Sequence, residues 1–230
     1  MLVVGFPAGP FETNCWVVAP APGEQCVVID PGVDAEGQLE EVLAEHRLAP
    51  VAVLLTHGHL DHMFSVTPVC GAKDIPALIH PADRPMLTDP SGGLGIPPGT
   101  PIFGRLEFAE PSDVRELADG ETLSLAGLEL AVDWAPGHTE GSVTFSAGED
   151  FFSGDLLFAG SIGRTDLPGG SYQKILESLE RIPLRLADEI VVRPGHGPET
   201  TIGRERAMNP FLVEIQQANA ASLPPVTRGL

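Results

Sequence analysis

One short run of metal-binding side chains constrains this chain more than any other feature: Thr56-His57-Gly58-His59-Leu60-Asp61-His62. Three imidazoles and one carboxylate within six residues is an unusual density for side chains that only pack in a core. The run directly follows the apolar residues 51–55, which we predict to form a buried strand. Because ligands commonly bind at the carboxyl ends of strands in α/β sheets, the run predicts a metal site at a sheet edge.

Three more ligand-type residues follow segments that we predict to be strands. His138 follows residues 128–135, Asp155 follows a strand that begins at residue 151, and His196 follows residues 190–192. His138 and His196 each end a Pro-Gly-His tripeptide, and this repeat suggests two similar halves that each contribute to one cleft. The glycine permits a sharp turn before each histidine. We therefore predict that the following residues converge as metal ligands: His57, His59, Asp61, His62, His138, Asp155 and His196.

The number and chemistry of these ligands predict the cofactor. Seven ligands are too many for one tetrahedral zinc ion but suit two metal ions, so we expect a dinuclear centre. Imidazoles and carboxylates without a thiolate are compatible with zinc, iron or manganese. We expect two divalent ions, with zinc as the first choice and iron or manganese as the alternatives.

The remaining patterns predict one domain over residues 1–220. Residues 81–111 contain seven prolines and five glycines with little periodicity, so we expect an ordered lid loop over the cleft. Residues 221–230 are expected to form a flexible tail. Further strands are expected at residues 27–29, 77–80 and 143–145, and helices at residues 35–46, 171–182 (capped by Ser171) and 210–220.

Composition excludes several classes of partner. The formal charge of −19, from 13 basic and 32 acidic residues, argues against nucleic acid and anionic membranes. The sequence has no apolar run long enough to span a membrane and no secretion signal, so we expect a soluble, cytoplasmic protein. Its three cysteines, Cys15, Cys26 and Cys70, lie in or beside apolar stretches and are expected to be reduced and buried. The oligomeric state stays open.

The spacing of the seven predicted ligands resembles the motifs of the metallo-β-lactamase superfamily over nearly the whole chain. Thr-Asn-Cys at residues 13–15, Ile-Asp-Pro-Gly at residues 29–32 and the segment at residues 154–166 resemble the short glyoxalase II-like hydrolases of that superfamily. The resemblance implies an α/β fold of the four-layer αββα type. It also implies these roles: His57, His59 and His138 on one metal, Asp61, His62 and His196 on the other, Asp155 bridging, and Asp30 and Thr56 orienting imidazoles through hydrogen bonds.

This resemblance implies hydrolysis of a small-molecule thioester, such as an S-2-hydroxyacyl thiol. Two neighbouring cations can lower the pKa of a shared water, so that hydroxide is available as the nucleophile, and Asp61 would orient it. A thiol has a reference pKa of about 8.5, so a thiolate can leave without the proton donor that an amine requires. Typical glyoxalase II enzymes carry an additional helical domain that holds glutathione. We do not expect such a domain in this protein, so glutathione recognition is not expected to carry over.

Two other functions are compatible with the same residues. The Gly-Arg-Thr-Asp segment at residues 163–166 is shared with iron-dependent persulfide dioxygenases, which would use one iron held by His57, His138 and Asp155. A non-catalytic metal-binding scaffold is the second alternative. We expect neither β-lactamase nor nuclease activity.

Two further residues are predicted to contact the substrate, each with a structural alternative. Arg164 could bind an anionic group, but pairing with Asp166 to brace a loop is the favoured interpretation. Tyr172, the single tyrosine, could touch the substrate or pack at the start of a helix. His46 and His80 lie outside the motif and are not predicted to bind metal.

Overall fold

Two six-stranded β-sheets form the centre of the computed structural model, which describes residues 1–102, 104 and 107–222. The first sheet contains six strands in sequence order: β1 (Leu2–Ala8), β2 (Thr13–Ala19), β3 (Gln25–Ile29), β4 (Ala49–Leu54), β5 (Ala77–Ile79) and β6 (Val114–Glu116). Strands β1 to β3 pair antiparallel, whereas β3 to β6 pair parallel. The carboxyl ends of β3 and β4 therefore lie side by side.

The second sheet is built from the later strands. Its strands are, in chain order, β7 (Thr122–Leu125), β8 (Leu128–Trp134), β9 (Val143–Ala147), β10 (Asp150–Gly154), β13 (Val191–Pro194) and β14 (Thr200–Thr201). Between β10 and β13 the chain forms a separate hairpin of β11 (Leu157–Phe158) and β12 (Ser161–Ile162). The sheet has the order β14-β13-β10-β9-β8-β7. Because β10 and β13 pair parallel, both strands end at the same edge.

Helices cover the outer face of each sheet. The outer helices are α1 (Glu36–His46), α3 (Val66–Lys73), α5 (Tyr172–Arg181), α6 (Ile202–Met208) and α7 (Pro210–Ser222). Two short helices, α2 (Leu60–Met63) and α4 (Ser91–Leu94), contribute residues to the cleft described below, and 3₁₀ turns lie at Arg84–Leu87 and Pro183–Arg185. Helices α1 and α3 share an apolar core with the first sheet, and α5, α6 and α7 share one with the second sheet.

The apolar residues of β3 show why the layers stack in this way. Cys26 and Val28 pack in the core that contains α1, whereas Val27 and Ile29 pack between the two sheets. A strand that is buried on both faces must be apolar at successive positions, which explains its continuous apolar run. The order of layers is helix, sheet, sheet and helix, so the predicted four-layer αββα fold is confirmed.

Several local predictions are also confirmed. Helix α1 lies at Glu36–His46, and the Ser171 side chain accepts a hydrogen bond from the backbone N–H of Lys174 at the start of α5. All three cysteines are buried and free of disulfide bonds. In the part of the chain that the structure describes, no helix is long and apolar enough to cross a membrane.

Other local predictions need correction. The two Pro-Gly-His tripeptides do not mark two halves, because both follow strands of the second sheet, β8 and β13. Residues 81–111 are not a loop throughout, since they include the 3₁₀ turn at Arg84–Leu87 and helix α4. Helix α7 extends to Ser222, so residues 221 and 222 are helical and not part of a tail, and the rest of the predicted tail, residues 223–230, lies outside the described residues.

Candidate metal centre

The seven predicted ligands come together where the carboxyl ends of strands from both sheets meet. His57, His59, Asp61 and His62 follow β4 of the first sheet, while His138, Asp155 and His196 follow β8, β10 and β13 of the second. Two backbone contacts join the sheets at this edge. The Val143 N–H donates to the Thr56 carbonyl (2.8 Å), and Thr13 forms an isolated antiparallel bridge with His196.

Three histidines form the first ligand group, His57, His59 and His138, which we call group 1. Their potential ligand atoms lie within 4.8 Å of one another, and His59 Nδ1 lies 2.8 Å from His138 Nε2. His57 Nε2 is buried, and no described residue offers it a hydrogen bond. A buried ring nitrogen without a protein partner is costly unless another ligand satisfies it, so group 1 fits a metal ion.

Asp61, His62 and His196 form the second ligand group, which we call group 2. His196 Nε2 lies 3.1 Å from Asp61 Oδ2 and 3.3 Å from His62 Nε2. Asp155 stands between the groups: its carboxylate oxygens lie 3.4 Å from His62 Nε2, 3.5 Å from His138 Nε2 and 3.7 Å from His196 Nε2. One carboxylate that reaches both groups has the geometry expected of a shared ligand.

Two residues behind the ligands hold imidazole rings in place. Asp30 is fully buried, and its Oδ2 lies 2.9 Å from His62 Nδ1. The same carboxylate accepts hydrogen bonds from the Thr56 backbone N–H (2.8 Å) and hydroxyl (2.6 Å). Thr56 Oγ1 in turn lies 3.1 Å from His57 Nδ1. Asp30 and Thr56 therefore contact the Nδ1 atoms of His62 and His57, and the Nε2 atoms of these two rings face the centre.

The glycines of the two Pro-Gly-His tripeptides are required by close packing. A Cβ atom on Gly195 would lie 2.2 Å from Asp155 Oδ1, and one on Gly137 would lie 2.3 Å from the backbone nitrogen of Ile175. Gly137 also has a φ of +139°, a conformation that other residues rarely adopt. Any larger residue at these positions would displace a ligand loop.

The protonation states of four ligands, His57, His59, Asp61 and Asp155, suit metal binding. Burial lowers the pKa of His57 and His59, and nearby imidazoles lower it further, to about 3 for His59. Burial alone would raise the pKa of Asp155, but the imidazoles of His62 and His138 lower it to about 2. For His62 and His196 nearby carboxylates outweigh the effect of burial and raise the pKa, so a metal ion would have to displace a proton from these two rings. Neutral imidazoles and ionised carboxylates are the forms that bind cations.

A cleft of about 690 Å³ opens above the centre. Five of the predicted ligands face it, and its walls are mainly apolar. Helix α4 and the residues after it, which belong to the segment predicted to be a lid, form one wall. The described apolar residues of the walls are Phe11, Leu60, Leu94, Ile96, Pro101, Ile102, Phe158, Ile162 and Leu167.

The two predicted substrate contacts differ in position. Arg164 lines the cleft, but its guanidinium makes a two-pronged ion pair with Asp166, at 2.8 and 2.7 Å. Its backbone carbonyl lies 2.7 Å from His138 Nδ1 and so helps to orient that ring. Tyr172 is 49% exposed at the start of α5 and is not among the residues that line the cleft. The structure therefore does not bring Tyr172 to the site.

Comparison with known proteins places this arrangement in a family. The sequence model of the metallo-beta-lactamase superfamily matches residues 8–196, which include all seven predicted ligands. This chain belongs to the metallo-β-lactamase superfamily. The superfamily is one of metal-dependent hydrolases. In this chain the His and Asp residues cluster as a metal site would require.

Three relatives match nearly the whole chain. A protein of Mycobacterium tuberculosis (strain H37Rv) is 48% identical over 220 residues, covering 92% of this chain and 98% of the relative. The probable metallo-hydrolase YqgX of Bacillus subtilis is 36% identical, with 90% and 95% covered. The hydroxyacylglutathione hydrolase GloC of Haemophilus influenzae is 33% identical, with the same two shares covered.

Two solved structures of the superfamily are also similar. The B3 metallo-beta-lactamase BLEG-1 has a TM-score of 0.83 and 38% identity, covering 92% of this chain and 99% of that structure. TTHA1623 in a di-iron-bound form has a TM-score of 0.75 and 38% identity, covering 92% and 100%.

The structure of this metallo-β-lactamase superfamily member also reveals supporting residues that sequence reasoning did not assign. The Thr13 hydroxyl donates to Asp61 Oδ2 (3.1 Å), and the Asn14 side chain donates to the Pro194 carbonyl (3.0 Å), two residues before His196. The Thr-Asn pair therefore supports group 2. Its motif was visible in the sequence, but its role depends on a contact between residues 48 positions apart.

Proposed function

We propose that this protein hydrolyses small-molecule thioesters in the apolar cleft. Groups 1 and 2 would each hold one divalent metal ion, and Asp155 would be a ligand common to both. The observation that carries the proposal is the position of the ligands: His59, Asp61, His138, Asp155 and His196 all face the cleft whose remaining walls are mainly apolar. Such a cleft is suited to an uncharged acyl or thiol chain with a polar reacting group at its base.

When bound, the two ions would supply a hydroxide nucleophile at neutral pH and polarise the thioester carbonyl. Zinc is our first expectation. The di-iron form of TTHA1623 supports a site for two ions and makes iron the main alternative. The ligand set of imidazoles and carboxylates is compatible with either metal.

Within this proposal Asp61 is the catalytic residue of the chain. Its carboxylate lines the cleft, and although burial opposes ionisation, the imidazoles of His62 and His196 hold its pKa well below the usual range. An ionised carboxylate at this position can accept a hydrogen bond from the attacking water and orient it. The Thr13 hydroxyl, which donates to Asp61 Oδ2, restricts how the carboxylate can turn.

The alternatives are less well supported by the geometry. A mononuclear dioxygenase would use His57, His138 and Asp155, and these three do not form one of the ligand groups found among the described residues. It would also leave the four other clustered ligands without a role. The hydroxyacylglutathione hydrolase name of GloC supports thioester hydrolysis over an unreactive scaffold. We propose a cytoplasmic enzyme with no nucleic-acid or membrane partner.

The proposed reaction can be tested on protein purified without added metal. Elemental analysis is expected to find two metal ions per chain, and a panel of thioesters is expected to release free thiol without consuming oxygen. One iron per chain with oxygen uptake on persulfide substrates would instead identify the dioxygenase. Full metal occupancy without turnover on thioester, lactone and persulfide substrates would identify a scaffold.

The cleft wall at residues 91–102 is expected to select the substrate. Replacing Leu94, whose side chain lines the cleft, with alanine removes about 1 kcal/mol of apolar contact with a bound chain. The KM for an apolar thioester should rise about fivefold with little change in kcat. Steady-state kinetics on short and long acyl chains would measure this. Leu125→Ala in β7, which does not line the cleft, is the matched control, and equal KM values for both variants would contradict the role of Leu94.

A further inference from the structure

Asp83 is a buried carboxylate outside the seven-ligand set, with a side chain satisfied entirely by two other loops. Its Oδ2 accepts hydrogen bonds from the Gly58 backbone N–H (2.9 Å) and the Thr139 hydroxyl (2.6 Å). Its Oδ1 accepts one from the Gly141 backbone N–H (2.8 Å). The residue is 1% exposed and immediately precedes the 3₁₀ turn at Arg84–Leu87. No local element of secondary structure requires these contacts.

The partners of Asp83 lie directly beside the ligands of group 1. Gly58 stands between His57 and His59, and Thr139 follows His138. We propose that Asp83 is a positioning residue that holds these two loops at the spacing at which group 1 binds its metal ion. The proposal rests on the proposed function only in requiring that group 1 holds a metal, and it does not depend on the substrate.

The same residue joins group 1 to the wall of the cleft. A Cβ atom on Gly58 would lie 2.8 Å from the Asp83 carbonyl oxygen and 3.0 Å from the Met86 side chain, so the 3₁₀ turn packs directly on the ligand loop. A Cβ atom on Gly93 in α4 would lie 2.6 Å from Met86 Sδ and 3.0 Å from the His59 ring. The 3₁₀ turn at Arg84–Leu87, helix α4 and the ligand loop of His57 and His59 therefore pack directly against one another.

The pattern of donors explains why a carboxylate is needed. Both backbone partners, Gly58 and Gly141, can only donate, and they donate to different oxygens of Asp83. An asparagine in either orientation would turn its NH₂ group toward one of these N–H groups. Asp83→Asn therefore keeps the volume of the side chain but leaves one buried backbone donor without an acceptor.

Group 2 does not share this support. Its ligands have other partners: the Thr13 hydroxyl donates to Asp61, the Asp30 carboxylate accepts from His62 Nδ1, and the Phe11 carbonyl accepts from His196 Nδ1. Asp83 instead accepts its side-chain hydrogen bonds from Gly58, on the loop of His57 and His59, and from Thr139 and Gly141, on the loop of His138. A defect at Asp83 should consequently weaken one metal ion and spare the other, whereas a general loss of stability would weaken both.

The experiment is a chelator titration of zinc-loaded protein that follows the loss of each ion. In Asp83→Asn the ion held by group 1 should be removed at a chelator concentration about 10–100-fold lower than in the wild type. This is the usual loss of metal affinity when a residue that supports the ligands through hydrogen bonds is replaced. The ion held by group 2 should be released at the same chelator concentration as in the wild type. Asp89→Asn makes the same chemical change in the same segment, where Asp89 contacts Ser91, and should leave both ions unchanged.

Two further variants keep the test decisive if Asp83→Asn does not fold. Thr139→Val removes one of the three hydrogen bonds and should weaken the same ion by a smaller factor. Thr13→Val should weaken the other ion, because its hydroxyl contacts Asp61. Thermal unfolding of metal-free protein reports stability separately from metal affinity.

Two results would overturn the role of Asp83. One is a chelator profile of Asp83→Asn and Thr139→Val that equals the wild type. The other is equal weakening of both ions together with a lower melting temperature of the metal-free protein. Failure of the proposed function is distinct, because wild-type protein that holds two ions but hydrolyses no thioester would leave the selective effect of Asp83→Asn intact.

Discussion

Replacing His59 with alanine is expected to lower the metal content from two ions per chain to one and to reduce thioester hydrolysis by more than about a hundredfold. His59 Nδ1 lies 2.8 Å from His138 Nε2, so its loss leaves group 1 with two imidazoles. Group 2 keeps all of its own ligands. The fold should survive, because the apolar cores on either side of each sheet contain no histidine.

The measurement combines elemental analysis, thiol release and circular dichroism on the same preparation. His46→Ala is the matched control, since His46 lies in the last turn of α1 and belongs to neither ligand group. The control should retain two ions and wild-type turnover. A His59→Ala variant with unchanged metal content and activity would show that His59 is not a ligand.

Replacing Asp155 with asparagine should have the largest effect of any single substitution, with both ions weakened and turnover reduced below that of His59→Ala. Its carboxylate lies between 3.4 and 3.7 Å from imidazoles of both groups. The amide has nearly the same shape but no charge, and it exchanges an acceptor for a donor. The cluster of imidazoles would then lose the anion that offsets two bound cations.

Metal content and thermal unfolding would test this expectation. Zinc should raise the melting temperature of the wild type, because a ligand that binds the native state stabilises it, but should have little effect on Asp155→Asn. Asp113→Asn, at an exposed aspartate paired with Arg115, controls for the loss of one negative charge. A variant that still binds two ions with wild-type affinity would exclude Asp155 as the shared ligand.

Local patterns were sufficient to predict much of this protein. Apolar runs identified β3, β4, β9 and β10, and the spacing of ligand types after the strands identified every residue that the structure brings together in groups 1 and 2. This succeeded because a strand buried on both faces is apolar throughout and because ligands at strand ends interrupt that pattern sharply. The resemblance to a known superfamily then supplied the order of the layers.

Other features depend on contacts that have no local signal. Asp83 resembles any turn aspartate in the sequence, and its importance comes from Thr139 and Gly141, which are 56 and 58 positions away. Tyr172 was predicted to reach the substrate but begins α5 on an exposed surface. The repeated Pro-Gly-His tripeptide suggested two halves, whereas both copies follow strands of the second sheet. The structure shows that each glycine is required because its backbone passes a closely packed neighbour.

The amino-acid sequence by itself determined the chemical identity of the centre, since ligand type and strand-end position are local properties that survive without knowledge of distant contacts. Tertiary structure alone decided the distances between the ligands and which buried residues hold the ligand loops at that spacing. The physical reason is that a metal site requires positions accurate to a fraction of an ångström. Such accuracy comes from hydrogen bonds and packing between segments far apart in the chain.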